Sequence, residues 1–361
     1  MEGKHLSLDE TIFLTGFPGF IAGRLVKRLA GEGARFLLLV QPAFAERARQ
    51  ETARIALETG AHESRFSILE GDITLEGLGL STPELERARS ETTVLFHLAA
   101  IYDLAVGREL ALRVNLEGTR HVNALARRLP RLRRYHYVST CYVAGLRSGL
   151  ILETELRHEA GFRNFYEETK YLAELEVEAV KAELPVTIHR PAVVCGDSHT
   201  GETAKYDGIY YLINYLRMHP SLFSLINIGN REVTLNLVPV DFVVEAMATL
   251  AKDERATGAT VQLADPAPLT THELFESIAR TLAGRGSAWT IPPRLVRKTL
   301  SLPLSPNLTG LPHAGVPYFF HDQTYDTSRA RELLEPHGVR CPPFTDYVTT
   351  LLEFVSRHPK L

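Results

Sequence analysis

The segment TIFLTGFPGFIAGRLVKRLA (residues 11–30) constrains the fold more than any other stretch of the chain. An apolar run ends at Thr15; Gly16, Gly19 and then Ala22–Gly23 follow, and an amphipathic helix begins near residue 20. Glycine inside a regular element costs about 0.5–1 kcal/mol, so three of them at one seam imply that something approaches this backbone closely. A strand, a tight turn and a helix N-terminus in that order can present backbone N–H groups and the positive end of a helix dipole to a diphosphate. A strand–helix turn that binds nothing would also use small residues, so the pattern gains weight only from its surroundings.

Those surroundings repeat a rhythm. The apolar runs RFLLLV (35–40), RFSILEGD (65–72), TTVLFHLAA (92–100), RYHYVST (134–140) and PVTIHRP (185–191) are separated by helix-length amphipathic stretches such as 44–59. Short apolar runs between helices read as strands buried on both faces, and their alternation with helices predicts a parallel sheet covered on both sides. Beyond residue 197 the rhythm weakens to LNLVPV (235–240), the helix-like 241–252 and the strand-like 259–265, and 284–320 is rich in Pro, Gly and Leu without a clear period. The expected fold class is therefore α/β: a doubly wound parallel sheet with a smaller, interleaved, mostly helical substrate domain. Residues 1–195 with 233–265 are expected to bind a dinucleotide, and 196–232 with 266–361 the substrate.

Composition narrows the function. With 45% hydrophobic residues in 361, the chain can bury a sizeable core. A net charge of −3 without a basic stripe argues against nucleic acid as a partner. The polar start MEGKHLSLDE carries no signal-peptide core, and no apolar run is long enough to span a bilayer. Cys141, Cys195 and Cys341 are far apart, which fits reduced thiols and a cytoplasmic location. Without CxxC or HExxH, no metal is expected.

Two stretches carry the candidate chemistry. NFYEETKYLAE (164–174) places Tyr166 and Lys170 four residues apart, on one face of a helix. A neighbouring ammonium would favour the tyrosinate and lower the phenol's pKa, which suits a proton donor at a carbonyl receiving hydride. An exposed helix face produces the same spacing by chance. YVSTCYVAG (137–145) lies upstream at the end of an expected strand. Cys141 there has no neighbouring base that would make it a nucleophile.

The turn Gly-x-x-Gly-x-x-Ala preceded by Thr15, followed in order by Thr140 and the Tyr166/Lys170 pair, resembles the extended branch of the short-chain dehydrogenase/reductase superfamily. The resemblance implies that Thr140 hydrogen-bonds the substrate carbonyl, that Tyr166 is the proton donor, and that Lys170 holds the nicotinamide ribose and tunes Tyr166. It implies cofactor contacts along the turn, from Thr15, Gly16, Phe17 and Pro18 to Gly19, Phe20 and Ile21. Further contacts would come from Asp72 and Ile73 after the third strand, from Leu98, Ala99 and Ala100 after the fourth, and from Pro191, Val193 and Val194. Asn115 would support the active site or simply be a buried structural asparagine. The second strand ends at Val40–Gln41 with no acid to bind an adenosine ribose. Arg24, Arg47 and Arg49 are candidate partners for a 2′-phosphate, so NADPH is expected over NADH, with Gln41 and Arg47 at that edge.

The segments HRPAVVCGDSHTGET (189–203), KYDGIYYLI (205–213) and LNLVPVDFVVEAM (235–247) are similar to the family that joins fatty acyl reductases of the male sterility group with thioester reductase domains. So are FHLAAIYDL (96–104) and the tail 325–355. The family implies NADPH-dependent reduction of an acyl thioester, bound to CoA or to a carrier, or of the aldehyde. The region 284–320, whose segment 291–304 mixes apolar residues with Arg294, Arg297 and Lys298, is expected either to cover an acyl chain and meet CoA phosphates, a carrier or a membrane surface with its basic rim, or to be an irregular but ordinary surface segment. The same residues are compatible with a reductase or epimerase acting on a nucleotide-sugar or steroid-like substrate, or with a catalytically silent dinucleotide sensor or scaffold.

Overall fold

The computed structural model describes residues 10–300, 313 and 315–360. The polar start and most of 301–314, where the sequence shows no period, lie outside the described residues.

Seven parallel strands form one sheet: β1 (Thr11–Thr15), β2 (Arg35–Val40), β3 (Phe66–Glu70), β4 (Val94–His97), β5 (Arg134–Val138), β6 (Val186–Pro191) and β7 (Thr260–Leu263). Their order across the sheet is β3-β2-β1-β4-β5-β6-β7. The chain reverses its direction of progress between β1 and β4, so the loops leaving those two strands diverge to opposite faces and open a crevice at their carboxyl ends. The central strands are buried throughout because helices cover both faces. Ile12 and Leu14 of β1 point into a core shared with α1 (Phe20–Ala30), while Phe13 points into the core on the opposite side. The second core also receives Val122 and Leu125 of α2 (Gly118–Ala126), and Ala173 and Val177 of α3 (Phe165–Val180).

Beyond the main sheet, two late segments return to the core around α1. Residues 235–240 do not extend the main sheet; Leu237–Pro239 pairs with Val193–Cys195 in a separate two-stranded sheet. The helix that follows, α4 (Val240–Leu250), packs beside α1, with Arg28 clamped to Glu245 at 2.6 Å. The helix Ser328–Leu334, which the sequence places in the substrate domain, packs its Ala330, Leu333 and Leu334 into the α1 core. The apolar side chains, rather than chain position, decide which core a late segment joins.

A third core forms the second lobe. It draws Ile213 and Leu216 from Ile209–Met218, Phe275 and Ile278 from Thr271–Ala283, and Leu351 and Val355 from Phe344–Arg357. Part of the aperiodic stretch is also regular: Trp289–Thr290 pairs with Ile226–Asn227, and Pro293–Leu300 is helical. Among the described residues no helix is long and apolar enough to cross a membrane.

Candidate active site

The glycine turn lies at the mouth of the crevice, and its tightness has a source inside the chain. Gly16 has φ +95°, and a β-carbon there would stand 2.8 Å from the backbone nitrogen of Ala99. A β-carbon on Gly19 would stand 2.6 Å from the carbonyl oxygen of Gly16. The close approach inferred from the sequence is therefore already made by the protein's own backbone, and the glycines alone do not report a ligand. The amino end of α1 does carry a ligand-ready donor set. Gly19 is exposed, makes no side-chain cap, and no acid occupies the first turn. The first N–H groups of a helix lack internal partners, so Phe20 and Ile21 offer donors to a diphosphate, and the residues present fit a dinucleotide.

The turn is anchored from behind. Thr15 Oγ1 lies 2.8 Å from His97 Nδ1 and accepts the Ala99 N–H at 3.1 Å, while His97 Nε2 lies 3.0 Å from Thr119 Oγ1. Burial lowers the His97 pKa to about 3, with the Lys170 charge as a smaller cause, so the ring is neutral and serves as a bridge between β1 and α2. Leu98 and Ala99 are half-buried along the crevice and Ala100 is exposed. Phe17 and Ile73 can meet a cofactor only through their backbone. Both side chains are buried in the flanking cores, Ile73 against Gly118, so neither presents its side chain to a cofactor. Pro18 is half-buried beside the exposed Gly19.

The three arginines have different fates. Arg24 pairs with Glu202 at 3.0 Å and lies over the Phe20 ring, and Arg49 pairs with Glu70 at 2.7 Å. Arg47 is exposed and makes no hydrogen bond or ion pair among the described residues. Gln41 donates to Asp72 at 2.8 Å, tying the ends of β2 and β3 into the rim where an adenosine would lie. Pro191 is buried at the end of β6; Val194 packs on the α1 core and Val193 faces the second lobe.

Thr140 ends the extension of β5 and caps the following turn, its hydroxyl accepting the Tyr142 N–H at 3.2 Å. Tyr166 opens α3, whose N-cap Asn164 accepts the Glu167 N–H at 3.0 Å. Burial drives the Tyr166 pKa upward, and its hydrogen bond with Thr140 opposes that rise. Lys170 turns its amine away from a direct hydrogen bond with the phenol. Its ammonium donates to Tyr137 OH at 2.9 Å and to the Val138 carbonyl at 2.8 Å, and burial brings its pKa down to about 7. Helical spacing places the two side chains on one face; the carboxyl end of β5 then captures the amine. Cys141 is buried, and burial raises its thiol pKa, which removes it as a nucleophile.

Several residues at the site carry no sequence signal as strong as Tyr-x-x-x-Lys. Asn115 accepts the Ile101 N–H at 2.9 Å and donates to Thr169 at 3.0 Å, holding the loop after β4 against α3. Glu174, one turn beyond Lys170, accepts two bonds from the buried Arg190 at 2.8 and 2.6 Å and another from Ser139. Tyr102 meets the Tyr166 ring edge-on at 5.1 Å between centroids. Period-two alternation in Tyr137–Val138–Ser139 would have placed Tyr137 and Ser139 on one face, but nothing local names their partners.

Tyr102 also lines a pocket that runs into the second lobe, where Tyr142, Val193, Tyr211, Tyr318 and Phe319 are joined by the charged Asp103, Lys205 and Asp207. Tyr211 and Phe319 also line a second, narrow apolar cavity that reaches Phe275, Val296 and Leu300. Outside the crevice, GDSHTGE and VPVDFVV meet: Asp241 accepts the Ser198 N–H at 2.8 Å and its hydroxyl at 2.6 Å.

Residues 14–247 match the NAD-binding family described as "Male sterility protein". The "Fatty acyl-CoA reductase wat" of Drosophila melanogaster is 26% identical over 284 residues, covering 68% of this chain and 54% of that protein. The "Glycine betaine reductase ATRR" of Emericella nidulans is 27% identical over 296 residues, 77% of this chain but 23% of that protein. The chain thus spans about half or less of these relatives. Among solved structures, the terminal R domain from the myxalamid PKS-NRPS pathway superimposes with a TM-score of 0.82 at 25% identity, covering 99% of this chain and 92% of that one. A thiolation-reductase di-domain from an archaeal non-ribosomal peptide synthetase gives 0.76 at 17% identity, over 99% of this chain and 77% of that one, and shows the shared fold. With its seven-stranded order, its crevice at the β1/β4 reversal and a family match over most of its length, the chain belongs to the male sterility family of NAD(P)-dependent oxidoreductases, in the extended short-chain dehydrogenase/reductase superfamily.

Proposed function

We propose that the protein is an NADPH-dependent reductase of an acyl thioester, carried by CoA or by a carrier protein, of the corresponding aldehyde, or of both in turn, with Thr140, Tyr166 and Lys170 as its working set. The observation that carries this reading is the aromatic and apolar cavity that begins at Tyr102, in contact with Tyr166, and continues past Tyr211. A chain of methylene groups gains about 0.8 kcal/mol for each one buried against the apolar side chains there, and the deeper cavity past Tyr211 is lined almost wholly by apolar groups.

A bound nicotinamide cofactor would supply the hydride. Thr140 and Tyr166 donate hydrogen bonds to the substrate carbonyl oxygen, where negative charge builds. Burial keeps the Tyr166 phenol protonated, hence able to give its proton to that oxygen. Lys170, fixed by Tyr137 and Val138, sits where an amine with a pKa near neutrality can bind a ribose hydroxyl and return a proton toward Tyr166. From a thioester the product is a hemithioacetal; its collapse passes the hydroxyl proton to the departing sulfur and leaves aldehyde and thiol. Arg47, exposed and unpaired among the described residues, in the first turn of the helix Ala45–Thr59 that follows β2, supports NADPH as the cofactor over NADH.

The test is NADPH oxidation with a long-chain acyl-CoA, the matching aldehyde and a UDP-sugar side by side, with products identified. The acyl substrates are expected to turn over and the sugar not. Tyr166→Phe is expected to lower kcat about 10²–10⁴-fold with NADPH affinity unchanged. Near-wild-type turnover in that variant, or faster turnover of the sugar, would refute the reading.

A further inference from the structure

The outer face of the second lobe has a composition unlike the rest of the chain. Acids make up 43 of the 361 residues, yet 208–231 and 277–300 contain no Asp or Glu. These two stretches meet in space: Trp289 pairs in register with Ile226, and Arg285 donates to the Ser221 carbonyl at 2.9 Å. Of the acids that flank them, Glu276 is largely buried and occupied by Asn227 and Ser287, Asp207 pairs with Lys205 at 3.5 Å, and Glu232 is exposed.

The same face exposes apolar side chains. Trp289, the only tryptophan, is 65% exposed, with Leu222 at 59%, Leu295 at 56% and Met218 at 48%. The helix Pro293–Leu300 turns Val296 and Leu300 inward, where they line the narrow apolar cavity. Its outer side carries Leu295 between Arg294 and Arg297, both exposed and neither ion-paired among the described residues. A short helix with apolar residues projecting between arginines, beside an exposed tryptophan, has the chemistry of the headgroup–acyl boundary of a bilayer. Lack of acids removes the repulsion that an anionic surface would otherwise meet.

We propose that this face is a docking surface for anionic phospholipid membranes, seated over the inner end of the apolar cavity. Charge complementarity favours an anionic partner, and the scattered, projecting apolar groups favour lipid over a folded protein, which would need a continuous complementary surface.

Trp289 makes the test direct. Its fluorescence is expected to shift to the blue, and the protein to float, with vesicles of phosphatidylcholine plus phosphatidylglycerol but not with phosphatidylcholine alone, and added salt should release it. At about fivefold per surface cation, Arg294→Ala with Arg297→Ala should lower partitioning about 30-fold while the thermal melt stays unchanged. Trp289→Phe should abolish the spectral signal and keep flotation. Three outcomes would overturn the proposal. One is no flotation with anionic vesicles at low salt. Another is equal binding to both vesicle types that the double arginine variant leaves intact. The third is that the face is taken up instead by a second copy, seen as a dimer that Trp289→Ala dissociates, or by an acidic acyl carrier protein. Flotation requires no turnover, so its failure and failure of the reductase assignment are read separately.

Discussion

Replacing Lys170 with methionine should change how the stability of the cofactor-free protein depends on pH. In the fold, burial lowers the Lys170 pKa from its ordinary 10.5 to about 7, with Glu174 opposing. Between those values the unfolded chain binds the proton and the folded protein largely does not, so this group makes stability rise with pH. Below pH 7 the penalty approaches its full size, about 5 kcal/mol at 1.36 kcal/mol per pH unit. By pH 9 only the unfolded chain's remaining protonation counts, and about 2 kcal/mol is left. Wild type should therefore gain about 2–3 kcal/mol relative to Lys170→Met between pH 6 and pH 9. The lost bonds to Tyr137 and Val138 enter at both pH values and largely cancel in that difference. Urea unfolding of both proteins at the two pH values measures it. Parallel pH profiles would show that the amine is not desolvated in this way, and would remove the physical basis for a lysine that exchanges protons near neutrality.

Two further substitutions test the scaffold. Gly16→Ala forces a β-carbon to 2.8 Å from the Ala99 backbone at φ +95°, so it should destabilise the fold by at least about 1–3 kcal/mol and weaken dinucleotide binding; a calorimetric melt and NADPH titration check both. Arg190→Met leaves Glu174 buried without its cation and should cost about 3–5 kcal/mol in denaturant unfolding, whereas the double variant with Glu174→Gln should recover much of that loss.

The turn near Gly16 shows how far local reading reaches. Strand, glycines and helix are written within twenty residues, because short-range sterics and apolar periodicity operate over that distance; α1 and β1 appear where the sequence places them. What presses on the glycines is Ala99, more than eighty residues away, and no local pattern contains that distance. The pair Tyr166/Lys170 follows the same division. Helical spacing sets both on one face, but the choice of Tyr137 and Val138 as the lysine's partners belongs to the approach of β5 to α3.

By itself, then, the amino-acid order determined the alternation of strands and helices, the parallel sheet, the glycine turn and the helix that carries Tyr166 and Lys170 on one face, since each depends on contacts between residues close in the chain. Only the tertiary structure decided which arginine stays unpaired in the helix after β2, that burial rather than a neighbouring ammonium governs the Tyr166 phenol, and that the last helices divide between two cores. Those outcomes depend on desolvation and on pairings across distant segments, and both come into being only when the chain closes on itself.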